Sequence, residues 1–180
     1  MDIDKKVWEI LCSEDEIAKR VEELGAQITR DYKDKNLFVI SLLKGSFVFT
    51  ADLVRKIDIP TKIGFMTTSS YGNSDTSSGK VEMKADISDN LQGYDVLIVD
   101  DIVDSGITMS FVMEHIRSKN PKSIANCVLL DKPSRRQVFL EPDYVGFTIE
   151  DKFVVGYGLN YGDYYRNTPY VFAVTNEDRE

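Results

Sequence analysis

The segment VLIVDDIVDSGIT, residues 96–108, decides the fold class of this 180-residue chain. Its first four residues, Val96–Val99, are branched and apolar, which is typical of a strand buried on both faces of a sheet. Three aspartates follow within five positions, and a turn of small residues then leads into a helical pattern at Thr108–Ser118. The next apolar run, Ile124–Leu130, predicts a second strand, so the segment belongs to a right-handed parallel strand–helix–strand unit.

Apolar runs on both sides of this unit extend the predicted sheet. Leu37–Leu43 has the same buried-strand pattern, and Phe47–Ile57 is interpreted as a helix that ends before Pro60. Ser13 and Glu16 have the spacing of a capping box ahead of a helical pattern. Further strands are predicted at Thr61–Met66, Tyr144–Phe147, Phe153–Gly156 and Tyr170–Val174. The sequence therefore predicts an α/β fold with a mostly parallel sheet, in one domain over residues 1–180.

A long polar segment, Thr67–Lys80 (TTSSYGNSDTSSGK), follows the predicted strand Thr61–Met66. Loops of this length inside a compact domain are uncommon, and most are lids or disordered segments. Composition alone leaves two interpretations open, a lid over a functional site and a plain surface excursion.

The composition indicates a soluble, reduced protein. Hydrophobic residues make up 42% and charged residues 29%, with 22 basic and 30 acidic side chains and a net charge of −8. Because an acidic surface repels phosphate backbones, we do not expect nucleic acid as a partner. The two cysteines, Cys12 and Cys127, are too few for a disulfide framework or a zinc site. Since we find neither a signal peptide nor a membrane-spanning apolar run, we expect a cytoplasmic location.

The acidic stretch at the end of the predicted strand Val96–Asp100 combines residue types that suit phosphate and metal chemistry. Ligands of open α/β sheets bind at the carboxyl ends of strands, and the free N–H groups of a helix start attract anions. Asp100 and Asp101 offer the oxygen ligands that Mg2+ prefers, and Asp104 could accept a proton. The structural alternative is that Asp104 and Ser105 only cap the helix, but capping does not explain three aspartates after a buried strand.

Five stretches of the chain resemble a known family. Val99–Thr108 resembles the PRPP-binding motif of type I phosphoribosyltransferases. Four others resemble hypoxanthine-guanine phosphoribosyltransferases: the pyrophosphate loop at Ser41–Ser46, the Ser-Tyr pair of the lid, the purine-reading segment Leu129–Lys132, and the stretch from Lys152 to Arg166. The resemblance implies a type I phosphoribosyltransferase fold, with a mostly parallel central sheet flanked by helices. It also implies a small hood built from the N-terminal segment and roughly residues 132–170.

The family transfers the 5-phosphoribosyl group of PRPP to hypoxanthine or guanine in purine salvage and releases pyrophosphate. The resemblance implies that Asp104 takes the purine N7 proton. Lys132 would bind N7 and the exocyclic oxygen, which selects 6-oxopurines because the amino group of adenine would face another donor. Phe153 would stack on the base, and the Val154 backbone would bind its other edge. Read alone, Lys132 is equally a surface lysine, and Phe153 belongs more naturally to the core.

The resemblance also implies how the ribose and its phosphate are held. Asp100 and Asp101 match the acidic pair beside the ribose hydroxyls and Mg2+. The 5′-phosphate would lie against the turn and helix start formed by Asp104, Ser105, Gly106, Ile107 and Thr108.

Two further groups are implied at the pyrophosphate side and above the site. Pyrophosphate would bind Lys44, Gly45 and Arg166, and in the family a cis peptide often precedes this lysine. Ser70 and Tyr71 would belong to a lid over residues 67–80 that closes on the reacting centre and excludes water.

The sequence departs from the family at two metal positions. The first acid of the motif is often Glu and is here Asp100, which is one methylene shorter. Asn160 stands where the family has an Asp that ligates a second Mg2+. Because an amide oxygen carries no charge, we expect weaker metal binding there, unless Asp163 compensates through water.

Two alternatives remain open at this level. One is a nucleotide-sensing regulator of the same superfamily that binds RNA or DNA, which the net charge of −8 disfavours. The other is an enzyme for another base such as xanthine. The resemblance also implies assembly as a homodimer or homotetramer.

Overall fold

The computed structural model describes residues 8–71 and 80–174, which form two sheets and three helices with a short 3-10 turn. The elements in chain order are β1 (Trp8–Cys12), α1 (Glu14–Asp31), β2 (Leu37–Leu43), α2 (Phe47–Val54), β3 (Thr61–Tyr71), β4 (Lys80–Ala85), β5 (Asp95–Val103), α3 (Ile107–Arg117), β6 (Ser123–Asp131), the 3-10 turn (Pro133–Arg135), β7 (Tyr144–Thr148), β8 (Phe153–Val155) and β9 (Val171–Val174). Among the described residues, no helix has the length and apolar character that crossing a bilayer requires.

The larger sheet has the strand order β4-β3-β2-β5-β6-β7. Its pairs are parallel except for β3 with β4, which confirms the predicted α/β fold with a mostly parallel sheet. From β2 the chain continues outward to β3, and from β5 it continues to β6 on the other side. The connections therefore diverge between β2 and β5, and the carboxyl ends of these strands border a crevice of the kind in which open α/β sheets bind ligands.

Apolar side chains bury both faces of the larger sheet, as the unbroken apolar runs of β2 and β5 predict. One core joins the sheet to α1 and α2, with Leu24 and Phe49 fully buried. The other core packs Val112 of α3 against Phe38 and Ile98. The two helical connections thus lie on opposite faces, which fixes the crevice between them.

The predicted capping box at the start of α1 is confirmed. The Ser13 Oγ accepts from the backbone N–H of Glu16, and the Ser13 N–H donates to Glu16 Oε2 at 2.9 Å. A cap of this kind stabilises a helix by about 1 kcal/mol.

The smaller sheet has the order β1-β9-β8. Trp8 stacks on Phe172 with ring centroids 4.2 Å apart, and Tyr165 meets Trp8 edge-on at 5.9 Å. This sheet carries Phe153 and Val154 on β8, which pair with Val174 and Ala173 of β9.

Several element boundaries differ from the sequence prediction. β5 continues beyond Asp100 to Val103, because its pairing with β6 extends to Asp131. Asp101 therefore belongs to the strand together with Asp100, and only Asp104 lies in the turn. α2 ends at Val54 and not at Ile57, where the chain passes close to α1.

The polar segment Thr67–Lys80 contains more strand than predicted. β3 continues through Tyr71 because Thr67–Tyr71 pair with β4, an antiparallel partner that the sequence pattern does not reveal. The backbone of Ser70 and Tyr71 lies at the end of this strand pair, while residues 72–79, the centre of the predicted lid, lie outside the described residues.

Candidate active site

Two adjacent aspartates lie at the end of β5, where the crevice opens. Each carboxylate accepts a hydrogen bond from the next backbone N–H, Asp100 from Asp101 at 2.9 Å and Asp101 from Ile102 at 2.8 Å. Among the described residues, neither carboxylate has a Lys, Arg or His nitrogen within 4.0 Å. The pair therefore places two acidic groups side by side with no direct cationic neighbour.

Burial governs the protonation of this pair. Burial and then the neighbouring charge of Asp101 raise the pKa of Asp100 well above its ordinary value. Burial also raises the pKa of Asp101, although the hydrogen bond with Asp100 and the guanidinium of Arg166 act against that rise. Since the ionised pair is unfavourable here without a cation, the site suits a bound cation.

The turn after β5 leads from the cavity into α3. Gly106 precedes α3 with a φ of 80°, in the left-handed region that glycine adopts without strain. Ser105 N–H donates to the Asp104 carboxylate, and Ile107 N–H makes a long bond of 3.3 Å to Ser105 Oγ. The turn lines the cavity at the acids together with Thr108 of α3, and a helix start of this kind is suited to binding an anion.

The loop after β2 approaches the acids very closely. The Leu43–Lys44 peptide is cis, as the family resemblance implies. A Cβ on Gly45 would lie 1.6 Å from Asp101 Oδ2, and a Cβ on Gly158 would lie 2.1 Å from the Gly45 carbonyl oxygen. Only glycine fits at either position, so this loop is held tightly between the acids and the chain around Gly158.

Arg166 is bonded to the chain beside this loop, whereas the side chain of Asn160 is bonded elsewhere. Arg166 Nη1 donates to the Gly158 carbonyl at 2.6 Å, while Gly158 N–H donates to the Arg166 carbonyl at 2.9 Å. The Asn160 side chain donates to the Gly162 carbonyl. Asn160 is not among the residues that line the cavity at the acids.

Lys132 follows β6 directly and is buried, with 7% of its surface exposed. Its backbone N–H donates to the Val103 carbonyl at 2.9 Å, and its ammonium donates to the Lys152 carbonyl next to Phe153. Burial lowers the pKa of Lys132, against which the carboxylates of Asp151 and Asp104 act. A surface position is therefore excluded, and the ammonium lies between the turn after β5 and the chain before β8.

Phe153 and Val154 differ in exposure. Phe153 is 37% exposed and its ring meets Tyr161 edge-on at 5.8 Å, whereas Val154 is buried. An aromatic face that is partly open to solvent suits stacking on a planar ligand better than a core position does.

A cavity of about 250 Å3 at the ends of β2 and β5 gathers seven of the predicted site residues, and its lining does not include Lys44, Ile107, Lys132, Phe153, Val154, Asn160 or Arg166. Its lining includes Gly45, Asp100, Asp101, Asp104, Ser105, Gly106 and Thr108, together with Thr68 of β3. Lys44, which directly precedes Gly45 in the chain, is exposed. Nothing is described for the side chains of Ser70 and Tyr71.

One pair near the cavity has no counterpart in the sequence prediction. Arg136 forms an ion pair with Asp131, and its Nη1 also donates to the Asp104 carbonyl at 2.7 Å. The sequence offers no signal for this role, because Arg135 and Arg136 stand side by side in a polar stretch.

Comparison with known proteins agrees with this geometry. A family model described as the phosphoribosyl transferase domain matches residues 7–162. The hypoxanthine-guanine phosphoribosyltransferase of Bacillus subtilis is 48% identical over 165 residues, which cover 92% of each chain. The hypoxanthine phosphoribosyltransferase of Salmonella typhimurium is 48% identical over 94% of this chain and 97% of its own.

Solved structures give the same result for the fold. A hypoxanthine phosphoribosyltransferase from Staphylococcus aureus superposes with a TM-score of 0.91 at 41% identity, covering 96% of this chain and 94% of the other. A hypoxanthine-guanine phosphoribosyltransferase from Bacillus anthracis gives 0.88 at 46% identity, covering 93% and 98%. The sheet order and helix placement described above are therefore those of the type I phosphoribosyltransferase fold, and the chain belongs to the hypoxanthine-guanine phosphoribosyltransferase family.

Proposed function

We propose that this protein is a purine-salvage enzyme that transfers the 5-phosphoribosyl group of PRPP to hypoxanthine and guanine, with release of pyrophosphate. The observation that carries the proposal is the placement of Lys132. Lys132 is buried and follows β6, the strand next to β5. Its backbone N–H donates to the carbonyl of Val103, directly before the turn that forms the proposed anion cradle. The arrangement supplies a phosphate site and a donor for an exocyclic purine oxygen within one crevice.

Asp104 is the group that accepts the N7 proton of the purine as the new bond to the ribose forms. Its carboxylate accepts from the Ser105 N–H, and its carbonyl is held by Arg136 at 2.7 Å. These bonds orient the carboxylate before substrate binds. A positioned base of this kind contributes typically about 10²–10⁴-fold to a rate.

The purine is held by three neighbouring groups. Lys132 donates to the exocyclic oxygen and N7, Phe153 stacks on the ring, and the Val154 backbone binds the other edge. Stacking and one charge-assisted hydrogen bond each contribute about 1–3 kcal/mol. An amino group at the purine 6-position would face the Lys132 ammonium donor to donor, which excludes adenine.

The pyrophosphate leaves toward the loop after β2. The exposed Lys44 and the guanidinium of Arg166 neutralise its charge, and the Gly45 backbone approaches it without a side chain in the way. Ser70 and Tyr71 belong to the lid that excludes water from the reacting centre.

The residues present fit Mg2+. The carboxylates of the buried Asp100 and the half-buried Asp101 have raised pKa values and no direct cationic partner among the described residues. No group of three His, Cys, Asp or Glu side chains in the described part of the chain could hold a metal alone. Mg2+ commonly takes one or two carboxylates and completes its shell with water and substrate phosphates, so the pair would hold it together with PRPP. Bound there, the ion neutralises charge on the phosphoribosyl donor.

The decisive experiment is a spectrophotometric assay of PRPP-dependent nucleotide formation with hypoxanthine, guanine, xanthine and adenine across a magnesium titration. Turnover of hypoxanthine and guanine without turnover of adenine is the expected result. Turnover of adenine would contradict the role of Lys132. PRPP binding without turnover of any base would contradict the proposed enzymatic function and favour a nucleotide-sensing regulator.

Asn160→Asp tests the departure at the second metal position. If Asn160 weakens Mg2+ binding on the pyrophosphate side, the added charge lowers the magnesium concentration needed for half-maximal rate. Asp163→Asn is the paired variant, because Asp163 is the acid proposed to compensate through water. A magnesium curve that Asn160→Asp leaves unmoved would show that this position does not set the requirement.

Nothing in the relatives supports the alternative of a regulator that binds RNA or DNA. Four expectations stay predictions. They are the hood built from the N-terminal segment and roughly residues 132–170, the lid at residues 67–80, the cytoplasmic location, and assembly as a homodimer or homotetramer.

A further inference from the structure

We infer that Arg136 is a positioning residue that fixes the distance between Lys132 and the turn at residues 104–106, which we call the phosphate turn. The inference rests on the proposed function, since it concerns the two halves of the same substrate site. Arg136 itself is not among the residues that line the cavity at the acids, so its action runs through the groups that it holds.

The guanidinium of Arg136 joins the ends of two neighbouring strands. One nitrogen pairs with the carboxylate of Asp131, the last residue of β6, directly before Lys132. The other donates to the carbonyl of Asp104, the first residue of the turn after β5, at 2.7 Å. The side chains of Arg136 and Asp131 are only 15% and 11% exposed, so water competes little for these bonds.

The backbone around Arg136 supports the same turn. Gln137 N–H donates to the Ser105 carbonyl at 2.9 Å. A Cβ on Gly106 would lie 3.0 Å from Arg136 Cδ and 3.0 Å from Val138 Cγ2. The segment 136–138 therefore packs directly behind the phosphate turn, with the arginine side chain reaching on to β6.

Arginine suits this position for a geometric reason. Its planar guanidinium carries donors in a fixed fork, so one side chain can serve a carboxylate and a carbonyl that lie in different directions. A lysine keeps the charge opposite Asp131 but offers a single nitrogen. Arg136→Lys should therefore keep the ion pair and loosen the bond to the Asp104 carbonyl.

The test compares a ligand that spans both halves of the site with a ligand that uses one. IMP places a phosphate on the turn and a purine at Lys132, whereas PRPP has no purine. If Arg136 sets the spacing of the two halves, Arg136→Lys lowers IMP affinity by about 10- to 100-fold and PRPP affinity much less. Isothermal titration calorimetry of both ligands measures the ratio without relying on turnover.

Two other arginines provide matched controls. Arg135→Lys changes the adjacent residue, which is 51% exposed and pairs with Asp151 at 3.3 Å; because Asp151 also lies 3.7 Å from Lys132, this variant keeps the charge and controls for electrostatic effects on that lysine. Arg20→Lys changes an arginine on α1 that also donates to backbone carbonyls, to Gly146 at 3.0 Å and to Val145 at 2.7 Å. Both controls should leave the IMP-to-PRPP affinity ratio unchanged, even where thermal melting shows that Arg20→Lys costs stability.

A second variant gives an independent readout. Arg136→Ala should lose IMP affinity and regain part of it when millimolar guanidinium is added, because the free ion can occupy the vacated site beside Asp131. Guanidinium should not raise the IMP affinity of Arg135→Ala. If Arg136→Ala does not fold, the ratio of IMP affinity to PRPP affinity in Arg136→Lys decides the question.

The outcomes separate this inference from the proposed function. Wild-type protein that neither binds IMP nor converts hypoxanthine overturns the proposed function. Wild-type protein that does both, with equal loss or no loss of IMP and PRPP affinity in Arg136→Lys, overturns the positioning role alone.

Discussion

Asp104→Asn is expected to lower the single-turnover rate of nucleotide formation by about 10²–10⁴-fold while PRPP still binds. The amide has nearly the shape of the carboxylate and can still accept the hydrogen bond from the Ser105 N–H, so the turn should keep its conformation. What it loses is the ability to take a proton from N7. Single-turnover measurement is preferred because product release can limit kcat in steady state.

Two observations would check that the loss in Asp104→Asn is a loss of base. Raising the pH should recover the variant more steeply than the wild type, because a purine that is already deprotonated no longer needs the side chain. Asp34→Asn is the control, since Asp34 is exposed, has a φ of 62° and lies on a loop after α1. A single-turnover rate unchanged in Asp104→Asn would show that the N7 proton leaves by another route.

Gly45→Ala is expected to lower kcat/KM for PRPP by about 10²-fold, with little effect on folding. The new Cβ would lie 1.6 Å from Asp101 Oδ2 and 2.6 Å from Asp101 Cγ, so either the loop or the carboxylate must move by more than an ångström. Misplacement on that scale costs about 10²-fold in rate. The loop and the acid both belong to the site proposed for pyrophosphate and Mg2+, so the damage falls on PRPP use.

Gly93→Ala is the contrasting control for the Gly45 prediction. Gly93 has a φ of 81° and open space around its Cβ position. Its replacement should cost about 1–2 kcal/mol of folding free energy through backbone strain, with kcat/KM unchanged. Steady-state kinetics beside chemical denaturation of both variants measures the two effects. Equal kinetic losses in the two variants would contradict a local clash at Asp101.

The central strands and the first helix were predictable because their signals are local. β2 and β5 each contain a mostly apolar run because both faces are buried, and the capping box of Ser13 and Glu16 spans only four residues. β1 and β4 were missed for the opposite reason. β1 exposes part of its length and depends on β9 far along the chain, and β4 exists as a partner for the polar end of β3.

The site divides in the same way. The acids, the turn and the loop proposed for pyrophosphate are each continuous in sequence, so the family resemblance alone predicts which residues belong to them. Lys132 was ambiguous in the sequence, because only the fold decides whether a lysine before a proline is buried. Arg136 could not be separated from Arg135, since the short 3-10 turn Pro133–Arg135 determines which of the two guanidinium groups faces Asp131.

The small sheet has a consequence for how the enzyme comes into being on the ribosome. β8, which carries Phe153, is hydrogen-bonded to β9 and not to the large sheet, and β9 in turn pairs Val174 with Trp8. Pairing between segments so distant in sequence forms late, because the entropy of closing the intervening chain must be met first. A nascent chain that has emerged to residue 160 should therefore bind phosphate groups before it can distinguish one purine from another. Selectivity for the base is completed only when β9 pairs with β8.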